Sequence, residues 1–153
     1  MEEAIQVREV PALPVLCTKG TCRHDEISNT LAVLLPKVFG SLTHLGIRPA
    51  GPPFCCYTDW REEDCDLEGG IVVEALVAGV GDIEGKQLGG GKCACYTHIG
   101  PYTELHGSYE MLMKYMEQHQ LEPGGPPFEV YLTDPSKEPD QSKWHTDIYF
   151  PVK

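Results

Sequence analysis

From residue 27 onward the apolar positions fall into a helical stripe. Ile27, Leu31, Leu34, Val38, Leu42 and Leu45 recur at spacings of 4, 3, 4, 4 and 3, which places them along one face of an amphipathic helix. Gly46 is positioned to cap it, and Pro36 inside the stripe is expected to kink or divide it. A second stripe, Leu105, Tyr109, Leu112 and Met116, predicts a helix over 102–119. Elsewhere apolar runs and strict alternation predict strands. These cover 5–18, ragged because Pro11 and Pro14 interrupt it, then 54–60, 65–67, 71–77, 92–99, 128–133 and 143–152. Gly79, Gly81, Gly85 and Gly89–Gly91 mark a loop-rich joint, and 134–142 a hairpin loop. Each side of the joint reads strand–helix–strand–strand. The prediction is a single α+β domain over 1–153, with a first module at about 5–78, a second at about 86–153, and both helices on one face of a shared antiparallel sheet.

The halves also share a motif. Residues 51–58 read GPPFCCYT and 125–132 read GPPFEVYL. At an offset of 74 (125 − 51), Gly51, Pro52, Pro53, Phe54 and Tyr57 fall on Gly125, Pro126, Pro127, Phe128 and Tyr131. That is the mark of an internal duplication. Its conspicuous break is Cys55 against Glu129. Side chains alternate across a strand, so the wholly apolar set Phe128, Val130 and Leu132 is expected to pack on the helices. Glu129 and Tyr131 then point to the opposite face, as do Cys55 and Tyr57 in the first half. With a pseudo-twofold, Tyr57 and Tyr131 would face each other beside one carboxylate, a groove suited to a flat or cationic apolar ligand. The alternative is a wet sheet face on which Glu129 and Tyr131 are ordinary surface residues.

Composition narrows the functional classes. The 12 basic and 23 acidic residues give a net charge of −11, which disfavours direct binding to nucleic acid. No apolar run reaches a membrane span. The acidic start, MEEAIQVREV, lacks the pattern of a signal peptide, so a cytoplasmic protein is expected. The odd set of seven cysteines then reads as reduced thiols, mostly filling the core. Their spacings make no zinc template, and neither metal nor cofactor is expected. GxSxG, HExxH and phosphate-cradling motifs are lacking. Cys55 with His98 as base is a weak nucleophile candidate.

Three segments carry a resemblance: HIGPYTEL (98–105), PGGPPFEVYLTDP (123–135) and WHTDIYFPV (144–152), with IRPAGPPFCCYTD (47–59) and DCDLEGG (64–70) as the less regular first-half counterpart. Together they are similar to the GyrI-like effector-binding domain, the BmrR-type ligand module of multidrug-responsive regulators, and the resemblance covers essentially the whole chain. It implies a pseudo-symmetric pair of modules forming a curved antiparallel sheet, with two helices on one face and a ligand groove on the other. It also implies that Glu129 sits in an aromatic pocket and pairs with lipophilic cations. Tyr131, Tyr57 and Tyr102 are the matching candidates for aromatic walls, Trp144 and Tyr96 the weaker ones, and Cys55 faces the same groove by parity. The regulators carry a DNA-binding helix-turn-helix that is not found here. The expectation is therefore a stand-alone xenobiotic-binding protein, with a regulator or DNA gyrase as conceivable protein partners. Stand-alone relatives include hydrolases that open cyclopropanoids with water. In that event Glu129 would activate the water, and Tyr131 or Tyr57 would hydrogen-bond the carbonyl on which charge develops. Inhibition of DNA gyrase, which the family name records, is the most distant reading.

Overall fold

The computed structural model describes residues 4–153. Its strands are β1 (Gln6–Val10), β2 (Leu13–Arg23), β3 (Pro49–Trp60), β4 (Asp64–Val73), β5 (Glu84–Leu88), β6 (Gly91–Ile99), β7 (Phe128–Tyr131) and β8 (His145–Pro151), and its helices α1 (Ile27–Leu45) and α2 (Leu105–Gln118). The fold is α+β, as the periodicities predict. No helix among the described residues is long and apolar enough to cross a membrane.

The chain divides into two compact units, one of residues Pro11–Gly90, the other of 4–10 with Gly91–Lys153. Within the first, β2–α1–β3–β4 forms an antiparallel sheet in the order β5-β2-β4-β3. Within the second, β6–α2–β7–β8 forms one in the order β1-β6-β8-β7. The two topologies are the same, which is the duplication stated in three dimensions.

Three expectations change. The run 5–18 is two strands, because Pro11 interrupts the ladder: Val10 pairs with Gly91, while Leu13 pairs with Leu88. The glycine-rich joint contains β5, which pairs with β2 and so belongs to the first unit, although residues 86–88 were expected in the second module. The runs 65–67 and 71–77 are parts of one strand that ends at Val73.

Helix α1 runs unbroken through Pro36. The missing N–H leaves the carbonyl of Ala32, four residues back, without its helical donor. Ala32 and Pro36 are both exposed, so water can serve that carbonyl. Gly46 ends the helix in the left-handed region at φ 68°, with its N–H bonded to the carbonyls of Leu42 and Thr43. The buried stripe Leu31, Leu34, Val38 and Leu42 is the one the spacing picked out. Val38 and Leu42 close a core with Leu16, Ile71, Val73 and Ile83. In the second unit Leu105, Leu112 and Met116 of α2 pack on Ala94, Tyr96 and Ile148.

Candidate functional site

The second unit holds a buried carboxylate inside a group of aromatic rings. Glu129, in the middle of β7, is 2% exposed. Its Oε1 accepts a hydrogen bond from Tyr109 at 2.6 Å, and its Oε2 one from Tyr131 at 2.7 Å. Both distances lie at the short end of the O–H···O range. Tyr131 lies 5.4 Å from the ring of Tyr102, and Tyr102 lies 4.9 Å from that of Trp144. On the other side Tyr109 meets Phe150 edge-on at 5.5 Å.

Local sequence explains each placement. Gly100 adopts φ 137°, a conformation that favours glycine, and its N–H bonds the carbonyl of Trp144 at 2.8 Å. The Gly100–Pro101 turn therefore delivers Tyr102 next to Trp144. The indole Nε1 donates to the carbonyl of Glu138 at 2.8 Å, tying the ring to the 134–142 loop. Burial pushes the Tyr102 phenol above its ordinary pKa, and the negative charges of Glu129 and Asp134 push the same way.

The orientation of Glu129 reverses the parity expectation. Glu129 pairs with Ile148, which pairs with Tyr96, and Tyr131 pairs with Thr146. Tyr96 and Ile148 belong to the core under α2, and Tyr109 reaches Glu129 from α2 itself. The carboxylate thus lies on the helix-bearing face of the sheet, not on the opposite one. Phe128 takes the other face, stacked on Tyr149 at 4.8 Å. Leu132, expected to pack on the helix, is 49% exposed. The all-apolar alternation misled because both faces of this unit are covered: Val10, Cys93, Cys95 and Tyr149 form a separate cluster on the Phe128 side.

The predicted residues are found in both units. Glu129, Tyr131, Tyr102 and Trp144 come together. Tyr96 is a core residue on the same face, 9% exposed. Tyr57 and Cys55 belong to the first unit, where their partners across the ladder are Leu67 and Gly69. A Cβ on Gly69 would meet Leu31 of α1 at 2.9 Å, so α1 packs closely over that position. Cys55 is 0% exposed, and Tyr57 is buried with its ring edge-on to Trp60 at 5.5 Å. His98, the proposed partner base for Cys55, lies in the second unit, where its Nδ1 bonds Ser108 Oγ at 2.7 Å and its Nε2 the carbonyl of Pro101 at 3.1 Å.

The sequence pattern shows Tyr109 only as a member of the core stripe. The signal was the one hydroxyl in an otherwise aliphatic stripe, facing a strand with a glutamate. We expect Tyr109→Phe to lower unfolding stability by about 1.5–3 kcal/mol, as for a hydrogen bond to a charged group, measured by urea denaturation. A second polar group lies on this face: Thr146, 0% exposed, whose hydroxyl has no hydrogen-bond partner among the described residues. Thr146→Val keeps the shape and removes the orphan, so it should raise stability by about 1 kcal/mol, seen as a higher denaturation midpoint.

Two duplicated strand–helix–strand–strand units, one carrying a buried carboxylate among tyrosines, define an α+β ligand-binding module. The chain belongs to the GyrI-like family: the profile of the GyrI-like small molecule binding domain matches residues 3–153. No curated protein sequence matches the chain. Among solved structures, the EcmrR C-terminal domain is 21% identical with a TM-score of 0.85, over 97% of this chain and 96% of that one. In the EcmrR–DNA complex the same likeness (22%, TM-score 0.84) covers 97% of this chain but 57% of the EcmrR chain. A hydrolase from Listeria innocua is 18% identical, with a TM-score of 0.66 over 97% of this chain and 91% of its own. SAV2435 bound to tetraphenylphosphonium is 15% identical, with a TM-score of 0.67 over 97% and 93%. At these identities the likeness is one of fold.

Proposed function

We propose that the chain binds hydrophobic, cationic or planar small molecules at Glu129, as a xenobiotic-binding protein of the cytoplasm. The carrying observation is the buried Glu129 carboxylate held by two phenols, Tyr109 and Tyr131, within a cluster that continues to Tyr102 and Trp144. Phenol donors hold the carboxylate in place and leave its formal charge intact. A carboxylate kept out of water costs free energy, and a delocalised cation that sheds its own hydration cheaply offsets that cost. Ring faces add cation–π attraction of about 0.5–2 kcal/mol each. The fold shared with SAV2435, which is bound to tetraphenylphosphonium, agrees with this chemistry. Titrating tetraphenylphosphonium into the protein should give saturable binding and quench Trp144, and Trp144→Phe should remove most of the quenching. A titration without saturation contradicts the proposal.

A second reading is hydrolysis of a strained cyclopropane. It is favoured by the pairing of a carboxylate with phenol hydroxyls, and by the fold shared with the Listeria innocua hydrolase. Glu129 would take a proton from water as the oxygen attacks ring carbon, and a tyrosine hydroxyl would stabilise charge on the conjugated carbonyl. Chromatography of a cyclopropanoid incubated with the protein should then show a ring-opened, hydrated product, absent with Glu129→Gln. If neither protein forms it, this reading fails. Action through a protein partner, a DNA-binding regulator or gyrase, is a further proposal that rests on the likeness to EcmrR and the acidic composition alone.

A further inference from the structure

The first unit places two thiols and three aromatic rings together at the far end of its helix-bearing face. Cys22 of β2 and Cys65 of β4 are direct cross-strand partners. Cys65 in turn pairs with Trp60 of β3. Trp60 reaches this row because of a register shift between Tyr57 and Asp59. Simple alternation would put Tyr57 and Trp60 on opposite faces. The extra residue in the bulge turns Trp60 onto the face of Tyr57, Leu67 and Cys65, as bulges do when they re-aim a side chain. The Tyr57–Trp60 edge contact at 5.5 Å is the result, and His24 stacks on the indole at 4.0 Å, nearly parallel. Arg61 anchors the bend through Asp59, Asp64 and Asp66 at 2.7–2.8 Å.

We propose that Cys22 and Cys65 form a dithiol site for trivalent organoarsenicals, with Trp60 and His24 as the surface that receives an aryl substituent. Three features point to this class. Directly opposed residues on antiparallel strands hold their Cβ atoms about 4.5–5.5 Å apart, wider than the roughly 3.8 Å typical of a disulfide. An inserted arsenic atom adds a second bond between the sulfurs and spans the wider gap without moving the strands. Next, Cys22 alone among the seven cysteines is not buried. A reagent meets Cys22 first, and Cys65 then closes the ring from beneath. Finally, Trp60 is 56% exposed, so an apolar ring sits at the mouth of the pair.

The reaction is a condensation. Two S–H bonds and the As–O double bond of an aryl arsenoxide break and two As–S bonds form. The oxygen leaves as one water carrying both protons, and arsenic stays trivalent, so no oxidant is needed. The thiols on the opposite face are unsuited. Cys17 and Cys56 are both covered, so neither offers a half-buried thiol for the reagent to meet first.

Phenylarsine oxide is the probe. Intact-mass analysis of the native protein should show one phenylarsenic group that resists washing with a monothiol and is removed by a dithiol. Cys22→Ser, at a half-exposed position, should lose the wash-resistant adduct, Cys65→Ser should do the same, and Cys17→Ser should keep it. Trp60→Ala should retain less of the phenyl than of the methyl arsenical after the same wash. An adduct that persists in Cys22→Ser, no adduct on the native protein, or peptide mapping to any other cysteine pair overturns the proposal.

Discussion

Replacing Glu129 with glutamine is expected to weaken binding of tetraphenylphosphonium by about 1–3 kcal/mol, with each 1.4 kcal/mol about a tenfold rise in Kd. The amide has the shape of the carboxyl group, so Tyr109 and Tyr131 can keep hydrogen-bonded partners at both side-chain positions. The formal charge is what disappears. Glu129 is 2% exposed, and at such a site charge is weakly screened, so the loss should persist at high salt. Calorimetric titration of both proteins, with circular dichroism to verify folding, reads the difference. Equal Kd values would remove Glu129 from recognition.

Leu112→Ala is expected to have the largest effect on stability. Leu112 is 0% exposed, on the face of α2 that packs against Ala94, Tyr96 and Ile148. Truncating a fully buried leucine costs about 2–5 kcal/mol, the spread reflecting how far the neighbours collapse. For a chain of this size each kcal/mol lowers Tm by roughly 2–4 °C. The exposed Met113 on the next position, 51% accessible, is the control, since Met113→Ala should stay within about 0.5 kcal/mol of the native protein. Helix α2 also carries Tyr109, so the loosened packing should reduce affinity for the cation alongside stability. Differential scanning calorimetry separates the two variants. Equal Tm values would mean that α2 is not held by this contact.

The helices were legible because a one-sided apolar stripe has a single reading: α1 begins and ends where the spacing from Ile27 to Leu45 and the glycine at 46 put it. The duplication was legible in GPPF, and the place where its copies differ led to Glu129. Face assignment was not. Phe128 and Val130 are apolar because a second cluster, around Tyr149 and Cys95, covers their side of the sheet. Alternation tells which residues share a face but not which face the helix takes. Strand β5 was hidden by its glycine and charged residues, EGKQL, which read as loop and are held only through pairing with β2. The role of Tyr109 was invisible for a related reason. Its hydroxyl acts across a contact between α2 and β7, 20 residues apart in sequence, and periodicity carries no information about that contact.

The Glu129 proposal is tested most directly by changing ligand charge while keeping ligand shape. Tetraphenylphosphonium and tetraphenylborate present the same four phenyl rings around a single positive or negative charge. Paired calorimetric titrations at matched ionic strength should show saturable binding of the phosphonium and none of the borate, with the difference shrinking in Glu129→Gln. Equal affinity for the two ions would contradict recognition by the buried carboxylate.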